Sequence, residues 1–115
     1  FPTRAALLST VAGTGFAQLA ALLGALPDGD AVRRVRAACE SYVDFARGNP
    51  ALFELMFRSD MVALGEGVSE QFRCIVRGLP TSDLVATSLW AALRGLALLP
   101  DADAVLQVTL DAYVR

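Results

Sequence analysis

The chain has 115 residues, of which 55% are apolar and 19% charged, with a formal net charge of −2 and no histidine. That length supports one hydrophobic core but not two, and the acidic balance argues against a nucleic-acid binder, which usually shows a basic stripe. Without histidine the commonest acid–base group and the usual partner of a Ser or Cys nucleophile are missing, so no enzyme and no catalytic set are expected.

Arg, Asp, Glu, Gly or Pro breaks each apolar run before 18 residues, and no secretory leader is visible, so no membrane span is expected. Cys39 and Cys74 stand far apart with no histidine to complete a metal set; they are expected as buried, reduced thiols of a cytoplasmic protein, with no metal and no cofactor. The apolar excess then has three destinations: a core, a ligand cavity and a subunit interface.

Thr3 is placed to cap a first helix that runs to about Leu26, where Pro27-Asp28-Gly29-Asp30 stops it. Leu8, Val11, Ala12, Gly15, Phe16, Leu19, Leu22 and Leu23 form its apolar side. Gly13 and Gly15 each cost on the order of 1 kcal/mol against Ala. They suit a close helix contact, room for a ligand, or simple tolerance. Asp30 caps a second helix over 31–48, with Val32, Val35, Ala38, Cys39, Tyr42, Val43, Phe45 and Ala46 on one side and Arg33, Arg36, Glu40, Asp44 and Arg47 on the other. Gly48 suits a left-handed end to that helix, Asn49 a cap for the next, and Pro50 its first turn. Leu52, Phe53, Leu55, Met56 and Phe57 make this short third helix apolar all round, which requires other helices to wrap it.

Arg58 to Gly67 reads as a loop or frayed helix start. A helix from about Glu66 to Gly78 turns Val68, Phe72, Ile75 and Val76 inward. Ser82, with Thr81 as a rival, caps a helix from Asp83 to about Leu99. Val85, Ala86, Leu89, Trp90, Leu93, Leu96 and Ala97 form its bulky core side, and Leu84, Ser88, Ala91 and Gly95 a flatter side that a helix of a second subunit can approach closely. Pro100-Asp101-Ala102-Asp103 ends this helix and caps the last one, which carries one polar stripe, Asp103, Gln107, Asp111 and Arg115. The rest, Val108 and Ala112 included, is too apolar for a helix that touches only its own core. The last two helices are therefore expected to form a dimer surface from Leu84, Ser88, Ala91, Gly95, Val108 and Ala112.

Phe16, Tyr42, Phe53, Met56, Phe72 and Trp90 come from five helices and point toward one interior, a composition suited to a small lipophilic ligand or to plain packing. Arg94, one turn after Trp90, is the polar residue at that site. It can meet an anionic or carbonyl-bearing ligand, stack on Trp90, or bridge to an acid across the dimer.

Three stretches carry a family resemblance. Tyr42-Val43-Asp44-Phe45-Ala46 followed by Asn49-Pro50-Ala51-Leu52-Phe53-Glu54-Leu55-Met56-Phe57 resembles the middle of the effector-binding domain of TetR-type transcriptional regulators. Phe1-Pro2-Thr3-Arg4-Ala5-Ala6-Leu7-Leu8 is similar to the exit from that family's helix-turn-helix, and Trp90 to Gly95 resembles its Trp-His-Gly pattern with Arg94 in place of the His. The resemblance covers most of the chain in the expected order. It implies an all-α bundle of about six helices of the TetR C-terminal type, with residues 1–115 forming one effector-binding and dimerisation domain and residues 1–3 leaving a DNA-reading domain absent here. It further implies a homodimer, a small apolar or amphipathic effector, and operator DNA gripped by the missing N-terminal domain, with repression relieved by the ligand. The contrasting expectation is a stand-alone helical dimerisation or small-molecule-binding module with no DNA role.

Overall fold

A computed structural model describes residues 3–114. Phe1 and Pro2 of the exit motif, and Arg115 of the last polar stripe, lie outside the described residues. Among those described, six α-helices follow one another: α1 Arg4–Gly24, α2 Ala31–Gly48, α3 Pro50–Met56, α4 Glu66–Val76, α5 Asp83–Leu96 and α6 Ala102–Tyr113, with a 3-10 helix over Val62–Gly65. No strand occurs among the described residues, and the fold is the expected all-helical bundle.

Side-chain caps start three of the six α-helices, whereas Asp101 makes no cap hydrogen bond to α6 although its turn is the expected cap there. Thr3 Oγ1 accepts from the Ala6 amide at 3.0 Å and Asp30 Oδ1 from the Arg33 amide at 2.9 Å. Ser82 rather than Thr81 caps α5, its Oγ accepting from the Val85 amide at 3.4 Å. The α2–α3 corner is built differently from its sequence expectation. Gly48 stays helical, and no described residue has a positive φ. Asn49 takes the bend at φ −139° and ψ 58°, and its side chain donates back to the Phe45 carbonyl at 3.0 Å instead of capping α3. Pro50 then opens α3 at a position where no amide donor is needed. An Asn that closes α2 in this way makes a left-handed glycine unnecessary.

Helix α2 lies at the centre and touches every other α-helix. Its expected inner side is buried from Val35 to Ala46, with Val32 half-buried. Helix α1 crosses α3 closely at Gly15, where a Cβ would stand 2.6 Å from Met56 Sδ and 3.0 Å from Leu52 Cδ1, whereas Gly13 has open space. The two glycines therefore differ: Gly15 permits a helix contact and Gly13 does not serve one. Val11 and Leu22, expected on the buried side of α1, are 40% and 42% exposed.

Length and composition alone would let helix α1 cross a membrane, which does not overturn the expectation of no span. Glycine and threonine interrupt an apolar run without making it polar, and Arg4 is the only charged residue within α1. In this fold Ala12, Gly15, Phe16, Leu19 and Leu23 of the helix are buried against its neighbours.

The segment expected as a loop after Phe57 is more ordered than its sequence suggests. Arg58 pairs with Asp60, Met61 is buried, and the 3-10 helix runs directly into α4. Gly65 makes this possible, because a Cβ there would overlap the Phe16 ring. At the other end of the bundle, Arg36 and Arg47 of α2 pair with Asp111 and Asp103 of α6, and Arg36 also donates to the Val114 carbonyl at 3.3 Å. Such exposed pairs add little energy, but they fix orientation. Asp103 and Asp111 of the α6 polar stripe face the α2 seam, and Val108 and Ala112 are exposed.

Candidate functional site

Five elements bring their aromatic side chains into one layer. Tyr42 of α2 meets Phe53 of α3 edge-on at 5.5 Å between ring centroids and Trp90 of α5 at 5.2 Å. Phe72 of α4 lies 5.1 Å from Trp90. Phe57, just past the end of α3, stands among Phe53 at 4.8 Å, Phe16 of α1 at 5.7 Å, Trp90 at 6.2 Å and Tyr42 at 6.3 Å. These are the tilted and edge-on arrangements that aromatic quadrupoles favour.

The candidate pocket residues are thus brought together, though as a packed layer rather than the walls of one large cavity. Tyr42, Met56 and Phe72 are fully buried. Met56 fills the α1–α3 crossing beside Gly15. Space is left on two sides of the layer. One cleft of about 240 Å³ is lined by Phe16, Phe57 and Trp90 together with Val62, Ala63, Gly65, Glu66 and Ser69. A second, of about 220 Å³, is lined by Phe53, Glu54, Phe57, Arg94 and Leu98. Phe57 borders both. Larger hollows of about 510 and 550 Å³ lie elsewhere on the surface, one around Pro27, Arg33 and Glu40 and the other around Arg34, Gln71 and Cys74. The first is lined largely by charged side chains and the second by mostly uncharged ones beside Arg34, and neither has the converging rings of the layer.

Arg94 does not stack on Trp90. Its guanidinium lies 5.3 Å from the Phe57 ring centroid, and Nη2 donates to the Phe57 carbonyl at 2.6 Å. It makes no ion pair among the described residues. Phe57 is the central residue that sequence reasoning left off the list of site residues. A residue just beyond a short helix has no defined face, so periodicity could not orient it. The available signal was its place at the end of an all-round apolar helix.

Among buried side chains, the Tyr42 hydroxyl is the one polar atom without a hydrogen-bond partner among the described residues. Burial pushes its pKa above the ordinary phenol value, and the positive charge of Arg94 partly opposes that shift. Burial likewise raises the Cys39 thiol to about 12, with Glu40 adding to the effect, so this sulfur stays protonated. Cys74 departs from its expectation and is exposed, with Sγ 3.5 Å from Arg77 and 3.8 Å from Glu70. It shares the solvent side of α4 with those two residues, a placement that two isolated cysteines in a sequence do not reveal.

The six expected interface residues stand on a second region. Leu84, Ser88, Ala91 and Gly95 line the outer side of α5, and Val108 and Ala112 the outer side of α6; all are exposed, Leu84 by 79% and Val108 by 73%. A Cβ at Gly95 would meet nothing within 4 Å.

The family described as "Tetracyclin repressor-like, C-terminal domain" matches residues 35–113. The structure of a protein with unknown function from Rhodococcus sp. RHA1 is similar, with a TM-score of 0.84 and 25% sequence identity over 100% of this chain and 73% of that one. No curated protein matches the sequence.

Proposed function

Because the chain belongs to the family of tetracyclin repressor-like C-terminal domains, we propose that it is the ligand-sensing and dimerisation part of a cytoplasmic, DNA-binding transcriptional regulator, a repressor released by a small apolar or amphipathic compound. The role is regulatory rather than catalytic. The observation that carries this reading is the aromatic layer. It draws on α1 through α5 and has open clefts on two sides, so a molecule inserted there touches the helices that set the tilt of α1.

The mechanism is a two-state equilibrium. A ligand that binds one arrangement of the helices better than the other shifts the population by its difference in affinity. Helix α3 transmits the shift, because it carries Phe53, borders Phe57, and presses Leu52 and Met56 on α1 at Gly15. A change in the angle of α1 would then alter the spacing of two DNA-reading domains in a dimer. The dimer itself would form through α5 and α6, whose outer sides offer small and apolar residues for close helix packing. DNA would be held by the domain preceding these residues, not by this acidic chain.

Fluorescence anisotropy of the longest natural polypeptide containing this chain, on DNA from its own upstream region at two salt concentrations, tests the reading. Selective, salt-sensitive binding that residues 1–115 alone do not reproduce is the expected result. Absence of selective binding across a wide screen of DNA fragments would favour a stand-alone ligand-binding module.

A further inference from the structure

Phe57 and the polar groups beside it say more about the ligand. Each of the two clefts, at about 240 and 220 Å³, falls short of the roughly 300 Å³ at which small-molecule pockets begin. Phe57 is the wall they share, and only with its ring turned aside would they join into a cavity of pocket size. Its position suits such a movement. It follows the last turn of the seven-residue α3, its amide N–H donates to the Phe53 carbonyl at 3.3 Å, and it precedes the Arg58–Asp60 turn. Residues at the ends of elements absorb backbone changes most readily.

Two hydrogen-bond donors stand near Phe57, the Tyr42 hydroxyl buried and without a partner among the described residues, and the Arg94 guanidinium open to solvent. The Tyr42 hydroxyl is 0% exposed, packs in the same aromatic layer against Phe53, Phe57 and Trp90, and has no partner among the described residues. Arg94 has five N–H donors, of which one goes to the Phe57 carbonyl. Its charge has no acidic partner among the described residues, although Glu54 lines the same cleft. A neutral apolar guest would leave the buried Tyr42 hydroxyl unpaired and give the Arg94 charge no counterpart, while Glu54 and Glu66 stand on the rims of the two clefts. A carboxylate supplies two acceptor oxygens and a charge of the right sign, and its apolar body can lie against the rings.

We infer that Phe57 is a movable partition, and that the ligand admitted when it turns is an amphipathic carboxylate whose head accepts from Arg94 and the Tyr42 hydroxyl. This rests on the reading of the aromatic layer as the effector site.

The full chain is titrated with decanoate and 4-butylbenzoate and with the matching alcohols, 1-decanol and 4-butylbenzyl alcohol. Binding is followed by calorimetry and by emission of Trp90, the single tryptophan of the chain. The acids are expected to bind roughly tenfold or more tightly than the alcohols, the difference a charge-assisted hydrogen bond makes. Arg94→Gln should erase that preference. Tyr42→Phe should weaken the acids by about tenfold while leaving thermal stability equal or higher, which a merely structural tyrosine would not do. Phe57→Leu, a milder change than Phe57→Ala, should tighten binding of both acids by lowering the partition. Alcohols that bind as well as the acids, with no effect of Arg94→Gln, would overturn the carboxylate while leaving the effector site standing. No heat and no change in Trp90 emission with any of the four probes would overturn both.

Discussion

The aromatic layer and the outer side of α5 and α6 hold the chain's apolar excess in opposite ways. In the layer, seven large side chains, Phe16, Tyr42, Phe53, Met56, Phe57, Phe72 and Trp90, pack together, and the Tyr42 hydroxyl has no partner among the described residues. On the outer side small residues stand in the open, and a side chain added at Gly95 would meet nothing. A change in the first region therefore acts on the fold and on whatever the layer admits. A change in the second leaves the protomer intact and acts on what it packs against.

The sharpest test of this division is truncation within the layer. Phe57→Ala removes the ring shared by both clefts and should cost about 3–5 kcal/mol in urea unfolding, with no change in the mass of the assembly. Overpacking the same region comes next. Gly65→Ala drives a methyl into the Phe16 ring and should cost about 1–3 kcal/mol; an unchanged thermal midpoint would mean that the 3-10 helix yields freely. Tyr42→Phe should act in the other direction, raising stability by about 1 kcal/mol because it removes a buried hydroxyl with no partner. A loss of similar size would show that the hydroxyl is bound in the folded state.

The smallest expected effect lies outside both regions, where Arg77 ties Glu70 of α4 to Asp83 of α5 at 2.8 and 3.0 Å. Arg77 holds the Glu70 carboxyl below the usual carboxylate range. A folded-state pKa that is depressed contributes stability above the unfolded value and loses it as pH falls through the folded one. Urea midpoints of wild type and Arg77→Ala should therefore differ slightly at neutral pH and converge in acid. A difference that persists there would assign the effect to packing of the arginine stem.

Much of this arrangement was legible in the sequence. Helical periodicity placed Val35 to Ala46 on the inner side of α2, and side-chain chemistry identified the caps Thr3, Asp30 and Ser82. It also brought Phe16, Tyr42, Phe53, Phe72 and Trp90 to one interior. What it missed depends on geometry beyond the helix period. Phe57 lies past the end of α3, where no face is defined, and its role follows from the Arg94 contact across 37 positions of chain. Gly48 and Asn49 offered two ways to end one helix and begin another, and the bend at Asn49 prevailed because its side chain returns to Phe45. The buried pattern of α1 failed at Val11 and Leu22 because neighbouring helices cover only part of its apolar side.

The central claim is that the inside of this domain is built for a ligand and the outer side of α5 and α6 for a second copy. Light scattering of wild type and Gly95→Arg, with thermal unfolding measured alongside, tests that division most directly. Wild type is expected at twice the mass of the chain and Gly95→Arg as a folded monomer, since the new side chain has open space in the protomer but none in a close helix pair. A Gly95→Arg protein that stays dimeric would place the interface elsewhere and contradict the division between the two regions.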